Sequence, residues 1–196
     1  MKPLLLHKSY VLLCLLALQT EAIALPATTS RATWHVYFSP GGEATFAIRQ
    51  ALDNAKSTVL VQAYSFTSAP IAEALVKAHK RGVKVQVILD RCQRTQKYYS
   101  ADFLANSGIP SRIDAAHAIA HNKVMIIDGK TVITGSFNFT KAAEERNAEN
   151  LLRICSNQLA IRYADNWRAH QRHSIRKSMR RSCGHSWPGW TFEEGQ

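Results

Sequence analysis

An imidazole and an ammonium group stand two residues apart where a short apolar run begins. They are His121 and Lys123, and Gly135, Ser136 and Asn138 follow the next β-prone run. Lysine supplies charge, serine and asparagine supply hydrogen bonds, and glycine lets the backbone approach a ligand. Histidine acts as a nucleophile or a proton carrier. These residue types together predict a site directed at a phosphate group.

A β-hairpin would bring these groups together. The run Val124–Ile127 is apolar and β-prone, Gly129-Lys130 predicts a turn, and Thr131–Thr134 predicts a second strand. Because a hairpin brings its two ends together, the groups before the first strand should meet those after the second. An ordinary hairpin with a basic surface end is the alternative, but it leaves a serine, an asparagine and a histidine at one place unexplained.

The spacing is more specific than the composition, since it reads H-x-K-x4-D-x6-G-S-x-N from His121 to Asn138 without a gap. This pattern resembles the HKD motif of the phospholipase D superfamily. Within the superfamily, the chain resembles the small, secreted bacterial endonucleases of the Nuc type, which carry one motif per chain. The similarity continues to Asn147 and Glu149-Asn150, and it covers residues 33 to about 170.

The resemblance implies phosphodiester hydrolysis in two steps, without a metal or another cofactor. One histidine attacks phosphorus to form a phosphohistidine, and a second protonates the leaving oxygen and then helps water to attack. Carried over by position, His121 is the nucleophile or the acid, and Glu149 matches the residue that hydrogen-bonds and orients the histidine. The groups that hold phosphate oxygens and stabilise the added charge are Lys123, Ser136 and Asn138.

Asp128 and His117 are weaker candidates. Asp128 is the third letter of the motif and is counted among the catalytic residues, but it lies five residues beyond Lys123, at the far end of the strand. A structural ion pair or a turn role is therefore the preferred interpretation of Asp128. His117 and His121 are four residues apart and precede a strand, so helical ligand geometry is not expected, and we predict neither a metal site nor a catalytic role for His117.

The resemblance also implies an assembly. The two-step mechanism needs two histidines on opposite sides of one phosphorus, and this chain supplies one HKD histidine. We therefore predict a homodimer with one active site at its two-fold axis, where His121 faces its own copy.

Strands and helices alternate along the chain. Strands are predicted over 33–39, 58–64, 83–90, 111–114 and 148–155, in addition to the hairpin, and a last helix is predicted from Ser156 to about Arg181. This alternation predicts an α/β fold, a layered α/β/α sandwich with a mixed, largely parallel central sheet. The resemblance implies the phospholipase D-like fold. Sites in such sheets form at strand ends, where His121 and Ser136 should lie.

The two ends of the chain are predicted to lie outside the α/β domain. Residues 1–24 are predicted to be a secretory signal peptide because a basic start precedes the apolar core Val11–Leu18 and a small-x-small cleavage site, Ala22–Ala24. An uncleaved anchor is the alternative. The predicted organisation is a signal peptide at 1–24, an extended lead-in at 25–32, the phosphodiesterase domain at 33–170 and a basic tail at 171–196. The protein is therefore expected to be periplasmic or secreted.

The chain is strongly basic, with a formal net charge of +11, or +10 without residues 1–24. Such a charge attracts polyanions, either nucleic acid or anionic lipid headgroups. The stretch from Arg91 to Tyr99 mixes basic residues with tyrosines, which suits a nucleic-acid backbone, although a solvated helix start explains it equally well. Three cysteines remain after cleavage, Cys92, Cys155 and Cys183, which allows one disulfide and one free thiol.

Two functions of different classes remain open. The first is a secreted endonuclease acting on DNA or RNA, and the second is a phospholipase D that releases lipid headgroups. The short chain and the positive charge favour the nuclease. The basic tail with Trp187 and Trp190 keeps an anionic membrane surface open as a partner. A DNA-binding module with a dead site is disfavoured because every motif position is intact.

Overall fold

The computed structural model describes residues 31–94 and 100–177, which form an eight-stranded sheet with helices on both faces. The strands are β1 (Thr33–Ser39), β2 (Thr58–Ala63), β3 (Lys84–Asp90), β4 (Ser111–Asp114), β5 (Lys123–Ile127), β6 (Thr131–Gly135), β7 (Glu149–Cys155) and β8 (Ile175–Arg176). The helices are α1 (Ala44–Asp53), α2 (Ala69–Lys80), α3 (Ser100–Asn106), α4 (Lys141–Glu145) and α5 (Asn157–His173).

The sheet is mixed, with the strand order β1-β7-β6-β5-β2-β3-β4-β8. Parallel pairing joins β2 to β3 and β3 to β4, and helices α2 and α3 lie in these two crossovers. The other neighbouring strands are antiparallel. The layered α/β class with a mixed sheet is confirmed. The prediction that the sheet is largely parallel was wrong, because β5, β6 and β7 follow one another without a long crossover helix and parallel pairing is confined to β2, β3 and β4.

Side chains of the central strands alternate between two apolar layers. On β5, Met125 joins the large core beneath α1 and α2, while Val124 faces away from it. Val124 packs in a second core with Trp167 of α5, whose Nε1 donates a hydrogen bond of 2.8 Å to the backbone oxygen of Val61. Burial on both faces explains why the strand reads as a continuous apolar run.

Helix α5 begins where the sequence predicted it, since the Oγ of Ser156 accepts a hydrogen bond of 3.2 Å from the backbone N–H of Leu159. The segment before β7, interpreted from sequence only as polar, contains the short helix α4. Its first turn is capped by Thr140, whose Oγ1 accepts a hydrogen bond of 3.1 Å from Ala143 N–H.

The predicted end of the last helix was wrong. Helix α5 ends at His173 rather than near Arg181, and Ser174 is extended. The following residues pair with β4 as β8, beyond the predicted domain boundary at 170. Arg112 of β4 donates hydrogen bonds to both the side chain and the backbone oxygen of Ser174. Pairing with the free edge of the sheet therefore prevails over the local helix propensity of this basic segment.

Several sequence predictions fall outside the described residues. These are the signal peptide, all but the last two residues of the lead-in, Lys97–Tyr99, Cys183 and the tail beyond residue 177. In the described part, Cys92 and Cys155 are free thiols. Within the same residues, no helix combines the length and the apolar character that crossing a bilayer requires.

Candidate active site

The hairpin places its open end at one edge of the sheet. Lys123 begins β5 and pairs with Ala63, the last residue of β2, so this edge is also where the parallel strands end. Gly135 ends β6 at the same edge because β5 and β6 are antiparallel. The backbone oxygen of Asn122 accepts a hydrogen bond of 2.8 Å from Tyr64 N–H, which holds the entry to β5 against the end of β2.

His121 is exposed at this edge and lies against an aromatic ring. Its ring centroid is 4.4 Å from that of Tyr64, at an interplanar angle of 57°. Lys123 Nζ lies 5.1 Å from the Tyr64 centroid and donates a hydrogen bond of 2.8 Å to the backbone oxygen of His121. Tyr64 therefore forms a wall shared by the imidazole and the ammonium group. Tyr64 was not identified from the sequence as part of the site, although its position directly after β2 pointed to it.

Lys123 is buried, with 6% of its surface exposed. Burial disfavours the charged ammonium group and lowers the pKa of Lys123, while the carboxylate of Glu149 partly offsets this by raising it. A cation that is already desolvated attracts an anion more strongly than a solvated one. This setting favours the predicted role of Lys123 in binding phosphate oxygens.

Ser136 is oriented by β7. Its Oγ accepts hydrogen bonds from the backbone N–H of Asn150 at 3.0 Å and from its side-chain amide at 3.3 Å. The hydroxyl proton of Ser136 is thereby left for a ligand oxygen. Gly135 makes this approach possible, because its φ is 144° and a Cβ there would lie 2.3 Å from the backbone oxygen of Asn150.

Asn138 follows two residues later, with a half-buried side chain. Its buried Oδ1 has no hydrogen-bond partner among the described residues. A buried polar atom without a partner is destabilising, and turning the amide over would point its NH2 group at the same position. A bound polar group would satisfy the amide, which favours the predicted role of Asn138 as a ligand.

Glu149, the first residue of β7, supports the lysine more directly than the histidine. Its Oε1 accepts a hydrogen bond of 3.1 Å from the side-chain amide of Asn147, rather than from His121. Its charge favours the ammonium form of Lys123. The role of Glu149 in orienting His121 stays a prediction.

Asp128 lies at the opposite end of β5, about 17 Å from Lys123 by strand rise. Its carboxylate accepts backbone hydrogen bonds from Lys56 at 2.9 Å, Ser57 at 2.7 Å and Thr58 at 2.9 Å, and one from the Ser57 hydroxyl at 2.9 Å. Burial would raise the pKa of Asp128, but the hydrogen bonds from these residues outweigh it and lower the pKa. These partners are neutral, so the location favours a turn role over both an ion pair and catalysis.

The loop before His121 is anchored by a buried carboxylate that sequence analysis placed only at a strand end. Asp90 ends β3, and its Oδ1 accepts a hydrogen bond of 2.8 Å from Cys92 N–H. Its Oδ2 accepts one of 2.6 Å from the N–H of Ala120, the residue before His121. Asp90 thus positions the approach to the site through a contact 30 residues apart in sequence, which local patterns cannot reveal.

His117 lies in a separate cluster with Asp114, His170 and His173. Their potential ligand atoms all lie within 4.8 Å of one another. The sequence predicted no metal site at His117 and did not reveal this cluster. The i, i+3 spacing of His170 and His173 was not recognised from the sequence, because the partner Asp114 is 56 residues away from His170.

An exposed imidazole, a buried ammonium group, an oriented hydroxyl and an amide with an unpaired oxygen thus surround the open end of one hairpin. Such a set can bind the oxygens of a phosphodiester and present a nucleophile to its phosphorus.

Comparisons with known proteins agree with this geometry. Residues 48–170 match the family model described as the cardiolipin synthase, PLD-like domain. The phospholipase D of Rickettsia conorii is 45% identical over 138 residues, which are 70% of this chain and 69% of the relative.

Solved structures show the same likeness. A phospholipase D family member, Nuc from Salmonella typhimurium, has a TM-score of 0.73 at 40% identity, with 76% of this chain and 99% of that chain covered. NucT from Helicobacter pylori, at 23% identity, shares the fold with a TM-score of 0.69 over 75% of this chain and 100% of its own. The residues that match the family model contain the whole motif from His121 to Asn138, and the chain belongs to the phospholipase D superfamily of phosphodiesterases, as a Nuc-type member.

Proposed function

We propose that this phosphodiesterase is an endonuclease that hydrolyses DNA with little sequence preference, through a phosphohistidine and without a catalytic metal. The observation that carries the proposal is the set of four polar groups at the open end of the β5–β6 hairpin: His121, Lys123, Ser136 and Asn138. Their chemistry fits a phosphodiester, and their edge position leaves His121 exposed to a polymeric substrate.

In the first step, an imidazole nitrogen of His121 attacks phosphorus. A P–N bond forms, the P–O bond to the leaving oxygen breaks, and that oxygen takes a proton from a second imidazole. In the second step, water gives a proton to this imidazole and attacks phosphorus, so that the P–N bond breaks and free His121 returns. Lys123 and Ser136 stabilise the negative charge on the non-bridging oxygens.

The second imidazole comes, in this proposal, from a second copy of the chain. Of the other histidines in the described part, His35 lies in β1, His79 lies in α2, and three surround Asp114, three strands away from β5. A two-fold dimer would place His121 against its own copy. Two Glu149 carboxylates and the bound phosphate would offset the repulsion between the cationic groups.

A nucleic-acid substrate is supported by the charge and by the likeness to Nuc. The formal net charge of +11 attracts a sugar–phosphate backbone. The likeness to Nuc spans 99% of that chain, and the sequence resemblance was to the endonucleases of this type.

A phospholipid substrate is the second candidate, because relatives from several Rickettsia species are named phospholipase D. Large apolar side chains also stand exposed on β1 and α1, with Trp34 at 65%, Phe38 at 63% and Phe46 at 58% exposure. Exposed aromatic groups can insert at a lipid interface.

A pair of assays decides between the two substrates. Supercoiled plasmid and phosphatidylcholine vesicles are incubated with the purified protein, and nicking and choline release are followed. We expect nicking about a thousandfold or more above that of His121→Ala, with no difference in choline release between the two proteins. Choline release that depends on His121, without nicking, would replace the nuclease by the lipid enzyme.

The same nicking assay tests the absence of a catalytic metal. We expect activity to persist in EDTA as long as circular dichroism shows folded protein. Nicking that EDTA abolishes in the folded protein, and that added metal restores, would contradict the mechanism.

The shared active site is tested by mixing chains. Wild-type and His121→Ala chains are co-expressed with different affinity tags, and the mixed dimers are isolated by two-step purification. We expect almost no activity, because one of the two histidines is missing. Mixed dimers with half of the wild-type activity would show that each chain works alone.

We also propose that the enzyme acts outside the cytoplasm after cleavage of residues 1–24. Amino-terminal sequencing of protein recovered from the periplasm or the medium should begin at Leu25. An intact Met1 terminus confined to the cytoplasmic fraction would contradict this.

A further inference from the structure

Three imidazoles surround one buried carboxylate at the end of β4. Asp114 is the last residue of β4 and is completely buried, while His117 lies in the exposed loop that leads to His121. His170 and His173 lie three residues apart in the last turn of α5, so their side chains project from neighbouring positions on the same helix. The cluster therefore joins two regions that are distant in sequence, the end of β4 with the loop after it and the end of α5.

The carboxylate already binds two of the imidazoles. Its Oδ2 lies 2.6 Å from His170 Nδ1 and 3.2 Å from His173 Nε2, while its Oδ1 accepts a hydrogen bond of 3.1 Å from Ala116 N–H. The orientation of Asp114 is thus held from both sides. A rigid, ionised oxygen aimed into a group of imidazoles is what a divalent cation needs from its anionic ligand.

His117 is the member that hydrogen bonding to Asp114 does not explain. Its ring centroid lies 5.0 Å from that of His170 and 5.2 Å from that of His173, which are themselves 5.2 Å apart. The three rings therefore form a nearly equilateral group around a common centre. A cation at that centre would bind one nitrogen of each neutral ring and so hold the three rings together.

The size of the group fits a small transition metal. The four ligand atoms lie within 4.8 Å of one another. Zinc bonds of about 2.0–2.1 Å in a tetrahedron place ligand atoms about 3.3 Å apart. The His173–Asp114 contact of 3.2 Å meets that spacing, whereas the His170–Asp114 contact of 2.6 Å is a hydrogen bond that must lengthen when metal enters. His117 is exposed on a loop and can close the remaining gap by a small side-chain movement.

We propose that Asp114, His117, His170 and His173 form a binding site for one divalent transition metal ion, with Zn²⁺ as the best match to three imidazoles and one carboxylate. The site is structural. It clamps the end of α5 and the loop before His121 onto the end of β4, and it is separate from the phosphodiester site.

The position in the sheet explains this separation. β4 and β5 are three strand spacings apart, which at about 4.8 Å each puts the cluster roughly 14 Å from Lys123 along the same edge. The metal is therefore too far away to touch a phosphate held by Lys123. It instead stiffens the loop that Asp90 anchors closer to His121. A structural metal at this place does not depend on whether the substrate is DNA or lipid.

The test uses untagged, metal-free protein titrated with Co²⁺ and Zn²⁺. We expect one Co²⁺ per chain, with the visible spectrum of a four-coordinate nitrogen and oxygen site, and stoichiometric displacement by Zn²⁺. A thiolate-to-cobalt absorption band would show binding at a cysteine and would overturn the assignment. Equilibrium titrations of two variants, His117→Ala and His173→Ala, should each show at least about a hundredfold weaker binding.

His117→Ala is the more informative variant because it leaves both hydrogen bonds to Asp114 in place. The matched control is His35→Ala, which removes another exposed histidine, on β1, and should bind metal as the wild type does. Free metal at 100 times its dissociation constant should raise the Tm of the wild type and the control by roughly 5–10 °C, and that of His117→Ala far less. Equal affinity in His117→Ala and wild type, or no stoichiometric binding at all, would overturn the proposal whatever the nuclease assay shows.

Discussion

The two ends of strand β5 carry residues of one motif, and these residues differ in how far the folded chain satisfies their hydrogen-bonding capacity. At the first end, Lys123 is a buried cation whose pKa is lowered by burial, and nearby Asn138 has a buried oxygen that no described residue pairs. At the other end, the carboxylate of Asp128 accepts four hydrogen bonds and has a lowered pKa because of them.

This difference separates the residues that serve substrate from those that serve the fold. A buried polar group whose hydrogen-bonding capacity the folded chain does not fill is available to a ligand, and its burial opposes folding. A polar group with all its partners stabilises the fold and has little left to offer a ligand. The motif pattern does not show this contrast, because both kinds of residue belong to the same short stretch of sequence.

The largest expected effect is on activity at the open end. His121→Ala and Lys123→Ala should each lower kcat for plasmid nicking by about 10³-fold or more, because they remove the nucleophile or the charge that stabilises the transition state. Circular dichroism should show an unchanged fold, and His35→Ala should remain near wild type. Near-normal turnover by a folded His121→Ala protein would end the mechanism proposed here.

The next largest effect is on stability at the turn end of the hairpin, where Asp128 lies. Asp128→Ala should lower the free energy of unfolding by about 2–4 kcal/mol, measured in urea, because it removes hydrogen bonds to a charged acceptor and puts alanine at a φ of 54°. Nicking per folded molecule should be unchanged. Asp128→Asn should lose less, since asparagine tolerates this backbone conformation and keeps one acceptor. Wild-type stability with lost activity in Asp128→Ala would make Asp128 catalytic after all.

Low pH should reduce the difference in unfolding free energy between the wild type and the Asp128 variants. The pKa of Asp128 is lower in the folded than in the unfolded chain, so its contribution is complete above the unfolded value of about 4 and is lost as the pH falls through the folded value. The difference in unfolding free energy between wild type and Asp128→Asn should therefore shrink below about pH 4. A constant difference down to pH 2.5 would mean that the charge of Asp128 does not contribute.

The smallest expected effect is a gain in stability. Lys123→Met should raise the free energy of unfolding at neutral pH by on the order of 1 kcal/mol while abolishing activity, because it removes a desolvated charge from the site. The folded pKa of Lys123 is lowered, so this penalty is present at neutral pH and disappears above the unfolded value of about 10.4. The gain should shrink accordingly at alkaline pH. The control is Lys130→Met, at an exposed position of the same hairpin, which should change the free energy of unfolding little. A marked loss of stability in Lys123→Met would show that the ammonium group stabilises the fold.

The sequence alone determined the hairpin and the convergence of its end groups. The strand propensities, the turn and the spacing from His121 to Asn138 are all local, so they are readable before folding. The preference for a turn role of Asp128 rested on the same kind of reasoning, since a strand has a fixed rise and its two ends cannot share one site.

Only the tertiary structure decided which distant groups complete the two clusters. Tyr64 and Asp90 reach the surroundings of His121 because β2 and β3 end at the edge where β5 begins. In the same way, His170 reaches Asp114 because α5 crosses the sheet and stops at β4. Sequence periodicity reports which face of an element is apolar, and it contains no information on which strand ends become neighbours. That information arises from the strand order, which long-range packing establishes.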